Sequence, residues 1–158
     1  MLLNRARALP AVVAVALFTL LRGTGAQTPA ADPSDAFFDD SVVHDIRLAI
    51  NGRDLTSLHV NYLSNEYYPV NFVWQDKALQ GVGIRSRGTG SRSGVKPGLR
   101  IDFDRWASDQ KFLGLKSVIL RNQTQDASNL RERLSMLFFR RMGVPAEREA
   151  HARLFFKN

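Results

Sequence analysis

The sequence predicts an α+β fold, antiparallel strands accompanied by one long helix. Two kinds of pattern carry that prediction. Runs around 43–50, 70–74, 82–87 and 99–103 alternate apolar with polar residues, the period of a strand with one buried face. A single longer stretch, Ala127 to Met142, instead spaces Leu130, Leu134, Leu137, Phe138 and Met142 along one helical face.

The first residues stand apart. Arg5 and Arg7 precede an apolar run from Ala8 to Leu21, and Thr24-Gly25-Ala26 is a small-residue cleavage site. Residues 1–26 therefore read as a signal peptide, the run being short for a membrane span of ~20 residues. The mature protein is expected to be exported, with no stable membrane anchor after cleavage. Residues 27–36, with Pro29, Pro33 and several alanines, read as a disordered lead-in, and residues 37–158 as the folded domain.

Within that domain Ile46, Leu48 and Ile50 share a strand face, and Asn51-Gly52 marks a turn. Asp54 is placed to cap a short helix running to about Tyr62, with Leu55 and Leu58 on one side. Val70, Phe72 and Trp74 form the next strand, and Asp76-Lys77 turns it into a partner that runs from Leu79 to Arg87. Tyr67, Tyr68, Phe72 and Trp74 read as an aromatic part of the core. Leu99, Ile101 and Phe103 define a further strand. Phe112-Leu113-Gly114-Leu115 is an apolar corner, and Val118-Ile119-Leu120 a short strand buried on both faces. Asp126 or Ser128 can cap the long helix, Gly143 and Pro145 end it, and 150–156 forms a last strand.

Composition narrows the chemistry. The chain of 158 residues has room for one domain with a real core. It has no cysteine, which excludes disulfides and thiolate chemistry. His44, His59 and His151 have no metal-ligand spacing. Without Arg5, Arg7 and Arg22 the formal charge of +7 falls to +4, too mild to point to a duplex-binding domain. Asn122-Gln123-Thr124 matches a glycosylation acceptor, but nothing else in the sequence supports that use.

The chemistry concentrates between Gly83 and Asp104. Two strand-like runs flank Arg87-Gly88-Thr89-Gly90-Ser91-Arg92-Ser93-Gly94-Val95-Lys96. Glycines here permit positive φ and close approach to a ligand, and loop N–H groups can form an anion-binding concavity. Arg87, Arg92 and Lys96 add charge and Ser91 adds a hydroxyl, so phosphate is the ligand that suits this loop best. Lys96 stands three residues before a strand that can hold it. Arg92 is in mid-loop and must lose more freedom to be ordered.

Three features occur in a particular order: the basic glycine-serine loop with Lys96 before a strand; Phe112-Leu113-Gly114-Leu115-Lys116 leading to a strand and a loop with Asn122 and Asp126; and Asn129-Leu130-Arg131-Glu132-Arg133-Leu134 opening a helix that ends in Arg141-Met142-Gly143-Val144-Pro145. This order resembles the spore-coat protein H (CotH) kinase family from about Phe38 onward. The resemblance implies the small lobe of a protein-kinase-like fold, ATP and a divalent metal (magnesium) as cofactors, and phosphoryl transfer to serine-rich protein. It implies Arg87, Gly88, Ser91 and Lys96 as the phosphate-binding set, with Asp126 and Arg131 in support. Phosphoryl transfer depends mainly on positioning and charge stabilisation, so a backbone cradle with a cation is a physically sensible half-site.

Complete family members continue into an Asn-Gly turn, a Gly-Tyr strand and acidic motifs that supply the catalytic and metal-binding carboxylates. The sequence identifies no catalytic residue and no metal ligand of its own, and the catalytic residues are expected beyond Asn158. The chain accordingly reads as an N-terminal portion of such a kinase, incomplete at the C-terminus and inactive alone. Two other classes stand beside this one: a secreted structural or interaction module, and an anion or nucleic-acid binder using Arg85, Arg87, Arg92, Lys96 and Arg100.

Overall fold

The computed structural model describes residues 31–157. The signal-peptide reading of 1–26 falls outside them, and no described helix is long and apolar enough to cross a membrane. The strands are β1 (His44–Ile50), β2 (Tyr68–Trp74), β3 (Lys77–Ser86), β4 (Leu99–Asp102), β5 (Ser117–Leu120) and β6 (Ala152–Lys157). The helices are α1 (Gly52–Val60), between β1 and β2, and α2 (Arg131–Arg141), between β5 and β6. All six strands form one sheet in the order β5-β4-β3-β2-β1-β6. The α+β class holds, with two corrections to the expected arrangement.

The first concerns the sheet, which is mixed. β1 to β5 pair antiparallel, but β6 lies parallel to β1, with His44 opposite Ala152 and Ala49 opposite Lys157. The reason is the connection. A chain leaving β5 through a helix returns to the starting end of the sheet before the next strand begins, which sets that strand parallel.

The second concerns the long helix. It covers Arg131–Arg141 instead of starting at Ala127, and the sheet carries two helices of similar length. Local side-chain bonds hold the missing turn in another conformation. Asp126 Oδ1 accepts from the Ser128 N–H and hydroxyl, Ser128 Oγ accepts from the Leu130 N–H, and Asn129 has a φ of 55°. At α1 the cap is Asn51, whose side chain accepts from the Arg53 N–H, so Gly52 opens a helix where a turn was expected.

The core lies on one sheet face. Register places Ile46, Trp74 and Leu154 side by side, as it does Leu48, Phe72 and Phe156. Ile84, Ile101 and Val118 continue the layer across β3, β4 and β5. Between Val70 and Phe72 the partner strand takes one extra residue, so Leu79 and Val82 both face inward; Gly81, with a φ of 67°, makes the bulge. Leu58 of α1 closes over this face.

An aromatic cluster fills the middle. Phe112 stands 5.0 Å from Phe37, 4.9 Å from Phe72, 5.8 Å from Trp74 and 5.2 Å from Phe103 between ring centroids. Its backbone exchanges both hydrogen bonds with Leu115 across a tight turn in which Leu113 and Gly114 take φ of 50° and 82°. Tyr67 does not join the cluster. It lies on the opposite face between the guanidinium groups of Arg85 and Arg105, and its hydroxyl donates to Asp102.

The lead-in is folded from Asp32 onward. Ser34 is fully buried and begins a 3-10 turn, Asp35–Phe38, and Arg148 bonds Ser34 Oγ at 2.6 Å and Asp35 Oδ1 at 2.8 Å. The apolar stripe of α2, in contrast, is uncovered among the described residues: Leu134 is 59% and Phe138 58% exposed. Substituting Phe112→Ala is expected to lower unfolding free energy by about 3–5 kcal/mol, read from the urea midpoint, because one ring serves four neighbours.

Candidate anion-binding site

Antiparallel pairing brings the α1–β2 connection, the β3–β4 loop and the segment after β5 out at the same end of the sheet. The β3–β4 loop carries Arg87, Gly88, Ser91 and Lys96. Its base is closed by Arg87 N–H donating to the Gly98 carbonyl at 2.8 Å, one step beyond the β3–β4 ladder.

The loop is tethered on both flanks. Arg92 Nε donates to the Gly88 carbonyl at 2.8 Å, and its Nη atoms reach the Leu63 carbonyl at 2.5 Å, the Ser64 carbonyl at 3.0 Å and Asn65 Oδ1 at 2.6 Å. Arg92 is thus ordered by the α1–β2 connection, and its donors are used in holding the loop. His59 Nδ1, at the end of α1, donates to the Gly94 carbonyl at 2.6 Å. Position 94 has no room for a side chain, since a Cβ there would stand 2.8 Å from the His59 carbonyl. Ser93 Oγ accepts from the Val95 and Lys96 N–H groups. Of the loop glycines Gly88 alone has a positive φ, 133°, and a Cβ there would sit 2.7 Å from Ser91 Oγ. Among the described residues the N–H groups from Gly88 to Gly94 meet no protein acceptor.

Two cavities flank this end of the sheet. A polar one of about 770 Å³ is lined by Arg87, Gly88, Ser91, Asp126 and Arg131. A larger one of about 1080 Å³ lies against the core face, with Ile46, Val118, Leu154, Met136, His59 and Lys96 in its wall. Residues 119–123, Glu132 and Met136 belong to both walls. Five of the six residues assigned to phosphate contact or its support therefore share one cavity, and Lys96 stands in the other.

Charge in the polar cavity is unevenly used. Arg121 Nε pairs with Glu132 at 2.5 Å, and Arg85 donates to Tyr67 Oη and Asn65 Oδ1. The guanidinium groups of Arg87 and Arg131 have no side-chain or carbonyl partner among the described residues, which leaves them available to an anion. Asp126 is committed elsewhere. Besides Ser128, its carboxylate accepts from the Arg131 N–H at 2.8 Å, so it fastens the start of α2. The Ser128 hydroxyl, and after it the Arg131 N–H, hold the carboxyl below the usual range. Among the described residues no three His, Asp or Glu side chains are grouped to hold a metal ion.

Sequence reasoning passed over Asn122 as part of the site. It is buried, and its amide Nδ2 donates to the carbonyls of both Ser91 and Lys96 at 2.8 Å. The sequence marks Asn122 only as part of the loop after a strand in the family-like order, with no role in the site; the fold brings residues 91 and 96 to it.

The lowered Asp126 carboxyl has a consequence for stability. Its contribution is fully present above the ordinary carboxyl pKa of about 3.9 and is lost as pH falls through the lower folded-state value. In an acid series of unfolding midpoints, Asp126→Asn is expected to be less stable than wild type near neutrality. The gap should narrow as the pH drops below about 3.9, where the unfolded chain takes up the proton first, and be smallest below the lowered folded-state value, where the folded wild-type carboxyl too is neutral.

Residues 84–158 match a family model described as CotH kinase protein. No curated protein matches the chain. The match begins at Ile84 in β3, later than the start near Phe38 read from the sequence, and takes in the anion-binding loop, β4, β5, α2 and β6. Over that stretch, which holds Arg87, Gly88, Ser91, Lys96, Asp126 and Arg131, the chain is similar to the CotH kinase protein family.

Proposed function

We propose that this chain forms the phosphate-contacting part of an exported CotH-type protein kinase that uses ATP to phosphorylate serine-rich protein. The carrying observation is the pair of cavities with a common wall. The polar one offers Arg87, Arg131 and unused backbone N–H groups, the chemistry of a polyphosphate site. The larger one offers a mainly apolar wall, suited to a nucleoside base, with Lys96 among its lining residues. In this reading Arg87 and Arg131 hold the phosphates, Gly88 permits close backbone approach, Ser91 adds a hydroxyl donor, and Asp126 positions Arg131 by fixing the first turn of α2.

ATP, when bound, supplies the transferable phosphoryl group. The divalent metal of the family finds no matching set of carboxylates among residues 31–157. The reading assigns the catalytic and metal-binding carboxylates to another part of a larger domain. The uncovered apolar face of α2, with Leu134 and Phe138, is consistent with such a part packing there.

Titration with ATP and with inorganic tripolyphosphate tests this reading. Each charged hydrogen bond to phosphate contributes roughly 1.5–3 kcal/mol, so Arg87→Ala and Arg131→Ala should each weaken both ligands by about one to two decades. Lys96→Ala should weaken ATP and leave tripolyphosphate nearly unchanged, because Lys96 faces the neighbouring cavity. Equal losses for all three variants with both ligands would mean a diffuse basic patch. For export, mass spectrometry of the secreted protein should find a chain beginning near Gln27, and an intact Met1 would overturn that part.

A further inference from the structure

We propose that Asn122 is a positioning residue that latches the β3–β4 loop and so sets the shape of the polar cavity; the purpose of that cavity rests on the anion-binding reading above. The β4–β5 register pairs Leu99 with Leu120, so the chain just after β5 runs beside the chain just before β4. Asn122 is therefore delivered to the open side of the loop, opposite the Arg92 tethers.

Its chemistry suits that place closely. A primary amide has two N–H donors on one planar nitrogen. Both are used, one on the Ser91 carbonyl and one on the Lys96 carbonyl, each at 2.8 Å. The amide oxygen accepts from the Thr124 hydroxyl at 3.2 Å, which orients the group so that its nitrogen faces the loop. Two carbonyls five residues apart would otherwise converge without a donor between them. Asn122 is only 7% exposed, so water cannot readily replace it. The same burial removes it from use as the acceptor of the Asn-Gln-Thr motif in the folded protein.

The latch also joins the cavities. Asn122 is in the wall that both share, and it holds Ser91 of the polar cavity and Lys96 of the apolar one. Arg92 and His59 tie the loop to α1 and its connection, and Gln125 Nε2 reaches the Gly90 carbonyl at 3.2 Å. Asn122 alone among these groups spans the loop from one limb to the other.

Amide hydrogen exchange on the full chain, with tripolyphosphate titration alongside, tests the proposal. Asn122→Asp keeps the shape but sets a carboxylate against two carbonyls. It should raise exchange of the hydrogen-bonded loop amides of Arg87, Val95 and Lys96 by about tenfold or more while β1 and β2 keep their wild-type rates. Tripolyphosphate binding should weaken by at least tenfold. Asn122→Ser, which keeps one donor, should fall between the two and serves in place of Asn122→Asp should that variant not fold. Unchanged loop exchange overturns the proposal, as does a uniform rise across loop and sheet, which would make Asn122 a general support of the fold. A selective rise in loop exchange in a protein that never binds tripolyphosphate upholds the latch and removes the anion-binding reading.

Discussion

The structure depends on the packing of five aromatic rings, Phe37, Phe72, Trp74, Phe103 and Phe112, on one face of the sheet. They come from four separate parts of the chain. Phe72 and Trp74 belong to β2, Phe103 follows β4, Phe37 lies ahead of β1, and Phe112 is carried on a tight turn. A short corner such as 112–115 has almost no secondary structure to hold it, so the ring it inserts is what fastens it. Edge-to-face contacts at 4.9–5.8 Å add directional preference to simple burial. With this cluster in place the central strands are fixed, and the loops at the sheet's end emerge in fixed positions.

That rigidity matters because the candidate site is built almost wholly from loops. Its charged and polar groups come from the β3–β4 loop and the segment that joins β5 to α2. Such a site can be precise only if its loops are held by a scaffold and by their own side chains. Here Arg92 and His59 bind the loop on one flank, and Asn122 binds it on the other. The loop's basic residues thus divide by task. Arg92 is a structural cation whose partners are carbonyls, whereas Arg87 keeps its guanidinium available. Net charge or composition could not make that division.

α2 shows the same separation of local and global causes. Its sequence has a proper apolar stripe, yet no residue of the helix is buried. A stripe records that a face is suited to burial, and tertiary structure decides what covers it. Its beginning is likewise set by competition. Asp126, Ser128 and Asn129 all favour side-chain-to-backbone bonds, and together they delay the helix to Arg131.

Much of the molecule was legible in sequence because a strand with one buried face must alternate. β1, β2 and β4 stand close to where their patterns put them, and the glycine-serine loop was evident from its composition; β5 is where its apolar run put it, but it buries Val118 and leaves Ile119 exposed where burial on both faces was expected. The family resemblance was also carried by local motifs, and the match over 84–158 falls on them. What sequence could not determine was everything that joins distant residues. The parallel pairing of β6 with β1 depends on where a helical connection returns the chain. The bulge at Gly81 moves Leu79 and Val82 to one face. Tyr67 was grouped with the core aromatics, but it lies on the other sheet face, where Arg85, Arg105 and Asp102 give it a polar setting. The separation of Lys96 from Arg87, and the use of Asn122 to hold both limbs of the loop, follow from strand register. Periodicity is a property of neighbours along the chain; register and loop closure are properties of residues that meet only after folding.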